Sequence, residues 1–106
     1  MSKKLPEVTV DLIKLPRHLQ VENRDPLSNV GGRTKFGGEP TWIQEPSIPI
    51  CPDCHHAMSF VGQIDSIDQL PENKNIIEDY MFGDCGMIYV FFCFDCSTTN
   101  SVFQSF

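Results

Sequence analysis

A chain of 106 residues builds one small domain, and 41% hydrophobic with 21% charged residues is the composition of an ordinary globular protein. The formal net charge of -6 argues against a nucleic-acid binder, which needs a basic face for phosphate contacts. Pro6, Glu7 and Asp11 interrupt any signal-peptide core after Lys3 and Lys4, and the longest apolar run, Met87 to Phe94, is too short to cross a bilayer, so a cytoplasmic chain with no membrane role is expected.

Val8-Thr9-Val10-Asp11-Leu12-Ile13 alternates as a strand does and stops at Pro16. Residues 17–35 are polar and poorly periodic. Five of the eight prolines and four of the seven glycines fall between Arg24 and Pro52, which predicts loops there and no helix. The Gly37-Gly38 pair predicts a turn with positive φ, after which Pro40 lets Trp42, the only tryptophan, reach the core or an interface, burial being the commoner fate. No helix with a Lys-Ser or Lys-Thr follows that pair, so it is no phosphate cradle. A strand is predicted over Met58–Ile64, then an acidic loop from Asp65 to Asn75 with one helical turn around Ile67–Leu70. Ile76–Phe82 and Met87–Phe94 flank Gly83-Asp84-Cys85-Gly86 and read as a β-hairpin. Ser97 to Asn100 reverses the chain, and Ser101–Phe106 closes the sheet. Eight of the eleven aromatic residues lie between Tyr80 and Phe106, which places the core there. The expected fold is mostly β, with an N-terminal strand and polar segment over 1–34 and a compact β domain over 35–106, one domain overall.

Two C-x-x-C pairs, Cys51-Pro52-Asp53-Cys54 and Cys93-Phe94-Asp95-Cys96, carry the chemistry. Each makes a knuckle whose sulfurs can face one centre. Four thiolates fill the coordination of one structural Zn²⁺ and leave no position for water or substrate. Reduced cytosolic thiols and the odd fifth residue, Cys85, argue against a disulfide framework. Such a site joins two β-hairpins and locks the loop-rich middle to the C-terminal sheet.

Other readings fit less well. Cys51-Pro52-Asp53-Cys54-His55 matches the C-x-x-C-H haem attachment motif, with Met58, Met81 or Met87 as axial ligand, but attachment needs export and leaves Cys93 and Cys96 without a role. Redox C-x-x-C pairs sit at helix N-termini, whereas both pairs here border strands. His55 or His56 in place of a thiolate, with water on the metal, is the rival metalloenzyme, though no H-E-x-x-H pattern occurs. Cys85 as a nucleophile has only a glycine-flanked turn to support it.

Charge is segregated. Residues 1–35 carry seven bases and four acids, a net of +3, and residues 36–106 carry ten acids and Lys74 alone, a net of -9. A zinc tetrathiolate adds a further -2. This balance suits a partner with a basic surface, and Asp65, Asp68, Glu72, Glu78 and Asp79 with Tyr80 form the expected contact surface.

The ordered motifs Gly37-Gly38-x-Pro40-x-Trp42-Ile43-Gln44, then Cys51-Pro52-x-Cys54 with Met58-x-Phe60-Val61-Gly62-Gln63-Ile64-Asp65, then Phe82-Gly83-Asp84-x-Gly86 with Tyr89-Val90-Phe91, resemble the zinc-knuckle branch of the YwqG-like family of bacterial proteins. They echo more distantly the programmed cell death protein 2 family. The resemblance covers about residues 35–106. His55 stands where a glycine often follows the knuckle, and Cys85 where a small residue is usual. The resemblance implies a mostly β fold, one zinc and no established enzymatic activity. It also implies protein binding, as a chaperone of a basic protein or as an immunity protein (antitoxin) that masks a toxin. The expected function is therefore a non-enzymatic, zinc-stapled protein-binding module, most concretely an immunity protein, with a structural subunit of a larger assembly as an alternative.

Overall fold

The computed structural model describes residues 4–12, 32–67 and 80–106. These contain no helix. Four strands, β1 (Lys35–Phe36), β2 (Ser59–Asp65), β3 (Met87–Cys93) and β4 (Thr98–Gln104), form one antiparallel sheet in the order β1-β2-β3-β4. The fold is thus the small, mostly β domain that the sequence predicts. No helix is long and apolar enough to cross a membrane among the described residues.

β3 is one of the two inner strands, and its burial alternates strictly. Met87, Tyr89, Phe91 and Cys93 are buried on one face, while Ile88, Val90 and Phe92 are half-buried on the other. On β2 the register to β3 shifts between Phe60 and Gly62, so that Phe60, Gln63 and Asp65 stand opposite Phe91, Tyr89 and Met87. Cys51, Met58, Met87, Tyr89, Phe91 and Cys93 form the core, with Trp42, Ile43, Phe60 and Val102 packed against it.

A loop, rather than a second sheet, covers this face, and three buried polar side chains hold it there. Gln63 Oε1 accepts from Thr41 N at 3.0 Å, and the Tyr89 hydroxyl donates to the Thr41 carbonyl at 2.7 Å. Gln104 Oε1 accepts from Ile43 N and Gln44 N at 3.1 and 2.9 Å, while its Nε2 donates to the Glu45 carbonyl at 2.7 Å. A loop laid across a core must find partners for its backbone groups, and β2, β3 and β4 each supply one side chain for it. Burial raises the pKa of the Tyr89 phenol, which keeps the proton that Thr41 receives. Trp42 consequently lies over Tyr89 and Phe91, with ring centroids 4.7 and 6.2 Å away. Gly37 and Gly38 take φ of 69° and 72°, as expected for the turn that leads into this loop.

Four expectations need correction. The chain reverses at residues 94–97, and Thr98–Asn100 already belong to β4, which ends at Gln104. Residues 8–12 form no strand, and Val8, Val10 and Leu12 are all exposed; alternation makes a strand only where one face of the segment is buried. Residues 80–82 are not a strand partner of β3, whose two edges are taken by β2 and β4. Gly83–Cys85 is instead a turn that delivers the chain into β3. Residues 76–79, Ile13 and most of the expected helical turn at 67–70 lie outside the described residues. Finally, Asp65 closes β2 instead of opening a loop.

Candidate metal centre

Both knuckles are built the same way. In the first, His55 N donates to the Cys51 carbonyl at 2.9 Å, and in the second Ser97 N donates to the Cys93 carbonyl at 2.8 Å. The residue after each closing cysteine is left-handed, with φ of 63° at His55 and 56° at Ser97. The glycine that often follows a knuckle would adopt this conformation without strain. The first knuckle is steadied by the Ile50–Ala57 bridge and by Cys51 N donating to the His56 carbonyl at 2.9 Å. The second is the β3–β4 turn, closed by the Cys93–Thr98 pair.

The sheet then brings the two together. The Sγ atoms of Cys51, Cys54, Cys93 and Cys96 all lie within 4.8 Å of one another, and Cys54 Sγ is 3.7 Å from Cys93 Sγ. Disulfide sulfurs stand at about 2.05 Å, so these are free thiols. A tetrahedron with metal–sulfur bonds of about 2.3 Å has edges of about 3.8 Å, which the Cys54–Cys93 separation matches. The four cysteines can hold a metal ion. Neither His55 nor His56 belongs to the cluster, and both are exposed.

Electrostatics divide the ligands. The Cys54 backbone N–H, opposed by burial and helped by the Asp53 N–H and the Thr98 hydroxyl, lowers the Cys51 thiol to about 6. Burial, with hydrogen bonds to Cys54, Cys51 and Cys93, pushes Cys96 up to about 12. The His56 N–H favours a thiolate at Cys54, but burial and the Cys93 and Cys51 thiols outweigh it and raise its pKa. Four sulfurs this close cannot all ionise without a cation between them. The metal-free site therefore favours the thiolate at Cys51 and the protonated thiol at Cys54 and Cys96. Metal uptake must displace both of these protons, so affinity rises with pH. Titration with metal in weakly buffered indicator dye should release at least two protons per ion, one each from Cys54 and Cys96. Release of fewer would contradict this ionisation pattern.

The expected contact residues fare differently. Asp65 is 1% exposed, and its carboxylate meets the Arg33 guanidinium at 2.6 Å, with Arg33 itself 6% exposed. It therefore cannot serve on a contact surface; it is a buried partner that fastens residue 33 to the end of β2. Tyr80 is half-buried, and its hydroxyl donates to the Pro6 carbonyl. Asp68, Glu72, Glu78 and Asp79 lie outside the described residues. Composition and spacing do not mark Arg33, Gln63 and Gln104 as structural residues. The one available signal was polar residues at inward positions of otherwise apolar strands, as Gln63 and Asp65 are in β2.

No family model matches the chain, and no solved structure matches it. It is 34% identical over 71 residues, 67% of its length, to the uncharacterized protein YpfL of Salmonella typhimurium. The chain spans only 15% of that protein's length.

Proposed function

We propose that this chain is a non-enzymatic protein-binding module whose fold is stapled by one structural zinc ion. The closed four-sulfur cluster carries the proposal, because its ligand set is all thiolate and fills a tetrahedron. Zinc favours such sites and brings no redox chemistry of its own. With all four positions taken by sulfur, the ion has none left for substrate water. Cys51, Cys54, Cys93 and Cys96 hold it, and its role is to join the first knuckle to the β3–β4 hairpin.

Protein binding is supported by the surface charge. Glu7, Asp11, Glu39, Glu45, Asp53, Asp84 and Asp95 are exposed among the described residues, against exposed Lys4 and half-buried Lys35 beside the Arg33–Asp65 pair. A partner with a basic surface complements this field. An immunity protein that neutralises a toxin is the most concrete form of the reading, in keeping with the resemblance to the YwqG-like family. Chaperoning a basic protein is the related form.

Elemental analysis of the purified chain should find close to one zinc per molecule, and a Soret band would overturn the zinc assignment in favour of haem. Capture from the native host should recover a basic protein whose association slows as salt rises, because screening shortens the Debye length from about 10 Å at 0.1 M to about 3 Å at 1 M. Turnover of a small molecule that His55→Ala or His56→Ala abolishes would establish an enzyme instead.

A further inference from the structure

β4 is an edge strand without the usual defences. It pairs with β3 in an unbroken register from Met87–Gln104 to Cys93–Thr98, and no strand covers its other side among the described residues. Natural sheets blunt such edges with proline, charge, a bulge or very short length. The opposite edge, β1, follows that rule, being two residues long and ending on Gly37-Gly38. By contrast, β4 is seven residues of Thr-Thr-Asn-Ser-Val-Phe-Gln, with no proline, no charge and no register shift. The Gln44 side chain donates to the Ser105 carbonyl at 2.7 Å, one residue beyond the strand.

The two ends of this neutral strand are marked by acids. At its start, Thr98 Oγ1 donates to Asp53 Oδ2 at 3.2 Å. At its close, Gln104 Nε2 holds the Glu45 carbonyl at 2.7 Å. Asp53 and Glu45 are both exposed. Between them Phe103, 53% exposed, stands opposite Ile88 on the face away from the core. An added strand would gain main-chain hydrogen bonds along β4, apolar contact at Phe103, and attraction for a cation at either end.

We propose that β4 accepts an extended segment of a partner protein as a fifth strand, with alternating β-branched residues and a basic residue at each end. The proposal rests on the reading of the chain as a binder of a basic protein, and it names where that partner docks. Main-chain pairing supplies affinity in such complexes, and the flanking side chains supply selection. A second copy of this chain is a poorer occupant. Antiparallel pairing of two β4 strands brings the Asp53 end of one against the Glu45 end of the other, between chains that each carry -6.

The probe is a blocked peptide, Lys-Thr-Val-Thr-Ile-Thr-Val-Thr-Lys, compared with its twin carrying Glu at both ends. Each is added to the purified zinc-loaded chain while backbone amide NMR shifts are followed. The Lys peptide should move the amides of Thr99 to Phe103, and the Glu twin should bind at least about tenfold more weakly at low salt. Asp53→Asn combined with Glu45→Gln should erase that difference while leaving the spectrum otherwise native. Three results would overturn the edge assignment: no β4 shift at about 1 mM peptide, well above the range of a specific contact, equal binding of both peptides, or shifts of β4 on simple dilution without peptide. Lys-peptide shifts confined to another surface would remove β4 as the site and leave the basic-partner reading standing. That reading fails separately, if the captured native partner is not basic.

Discussion

Replacing Cys93 with serine should unfold the domain. Zinc binding to four-ligand thiolate and imidazole sites is worth about 10–16 kcal/mol in small peptides, whereas a domain of this size is stable by about 5–15 kcal/mol in total. Losing a buried sulfur from the cluster therefore removes an amount comparable to the whole. Cys93 is 6% exposed and ends β3, so the loss also strikes the core. The variant should show no cooperative thermal transition, and a strong chelator should do the same to the natural chain. Cys85→Ser is the matched control. That residue is half-buried in the Gly83–Cys85 turn with φ of 51°, away from the cluster, and serine should leave both fold and metal in place. Metal loss in Cys85→Ser with retention in Cys93→Ser would reverse the ligand assignment.

The second large effect is expected at Arg33. Its Nε and Nη2 donate to the Asp65 carboxylate at 2.9 and 2.6 Å, its backbone N donates to the same group at 3.0 Å, and Nη2 also reaches the Cys85 carbonyl at 3.0 Å. Arg33→Met would leave the backbone donor but strand a buried carboxylate without its countercharge. Breaking one side of such a pair costs about 3–5 kcal/mol, while replacing both sides by apolar residues is often neutral. Urea unfolding should therefore show Arg33→Met severely destabilised and Arg33→Met/Asp65→Leu largely recovered. A double variant as unstable as the single one would assign the cost to lost packing and hydrogen bonds instead of charge.

Those two sites differ in how far the sequence reveals them. The knuckles were legible because C-x-x-C spacing fixes local geometry by itself, and two such pairs have one common way of being satisfied. The β2 and β3 strands were legible from alternation, and their observed limits lie within one residue of those expected. Residues 8–12 show the limit of that signal, because alternation records a capacity to pair and says nothing of whether the rest of the chain lays the segment against an edge. Asp65 is a related case. An acid after an apolar run reads as the start of a solvated loop unless its partner is known, and Arg33 is 32 residues earlier. Gln63 and Gln104 hold the covering loop through backbone contacts that leave no pattern in composition or spacing.

The reach of the metal link along the chain has a topological consequence. Cys54 and Cys93 are 39 positions apart, so an ion held by the four cysteines would close a long loop through two otherwise separate turns. On the polymer estimate for a cross-link, closing a loop of that length removes about 4 kcal/mol of freedom from the unfolded chain. Within that loop, β2 and β3 are also zipped together from Ser59–Phe92 to Asp65–Met87. A backbone cut between residues 67 and 80 would thus yield two pieces that remain clasped by a shared ion and a shared ladder. Each piece would carry half of the ligand set, so reassembly from separately produced halves would require the metal.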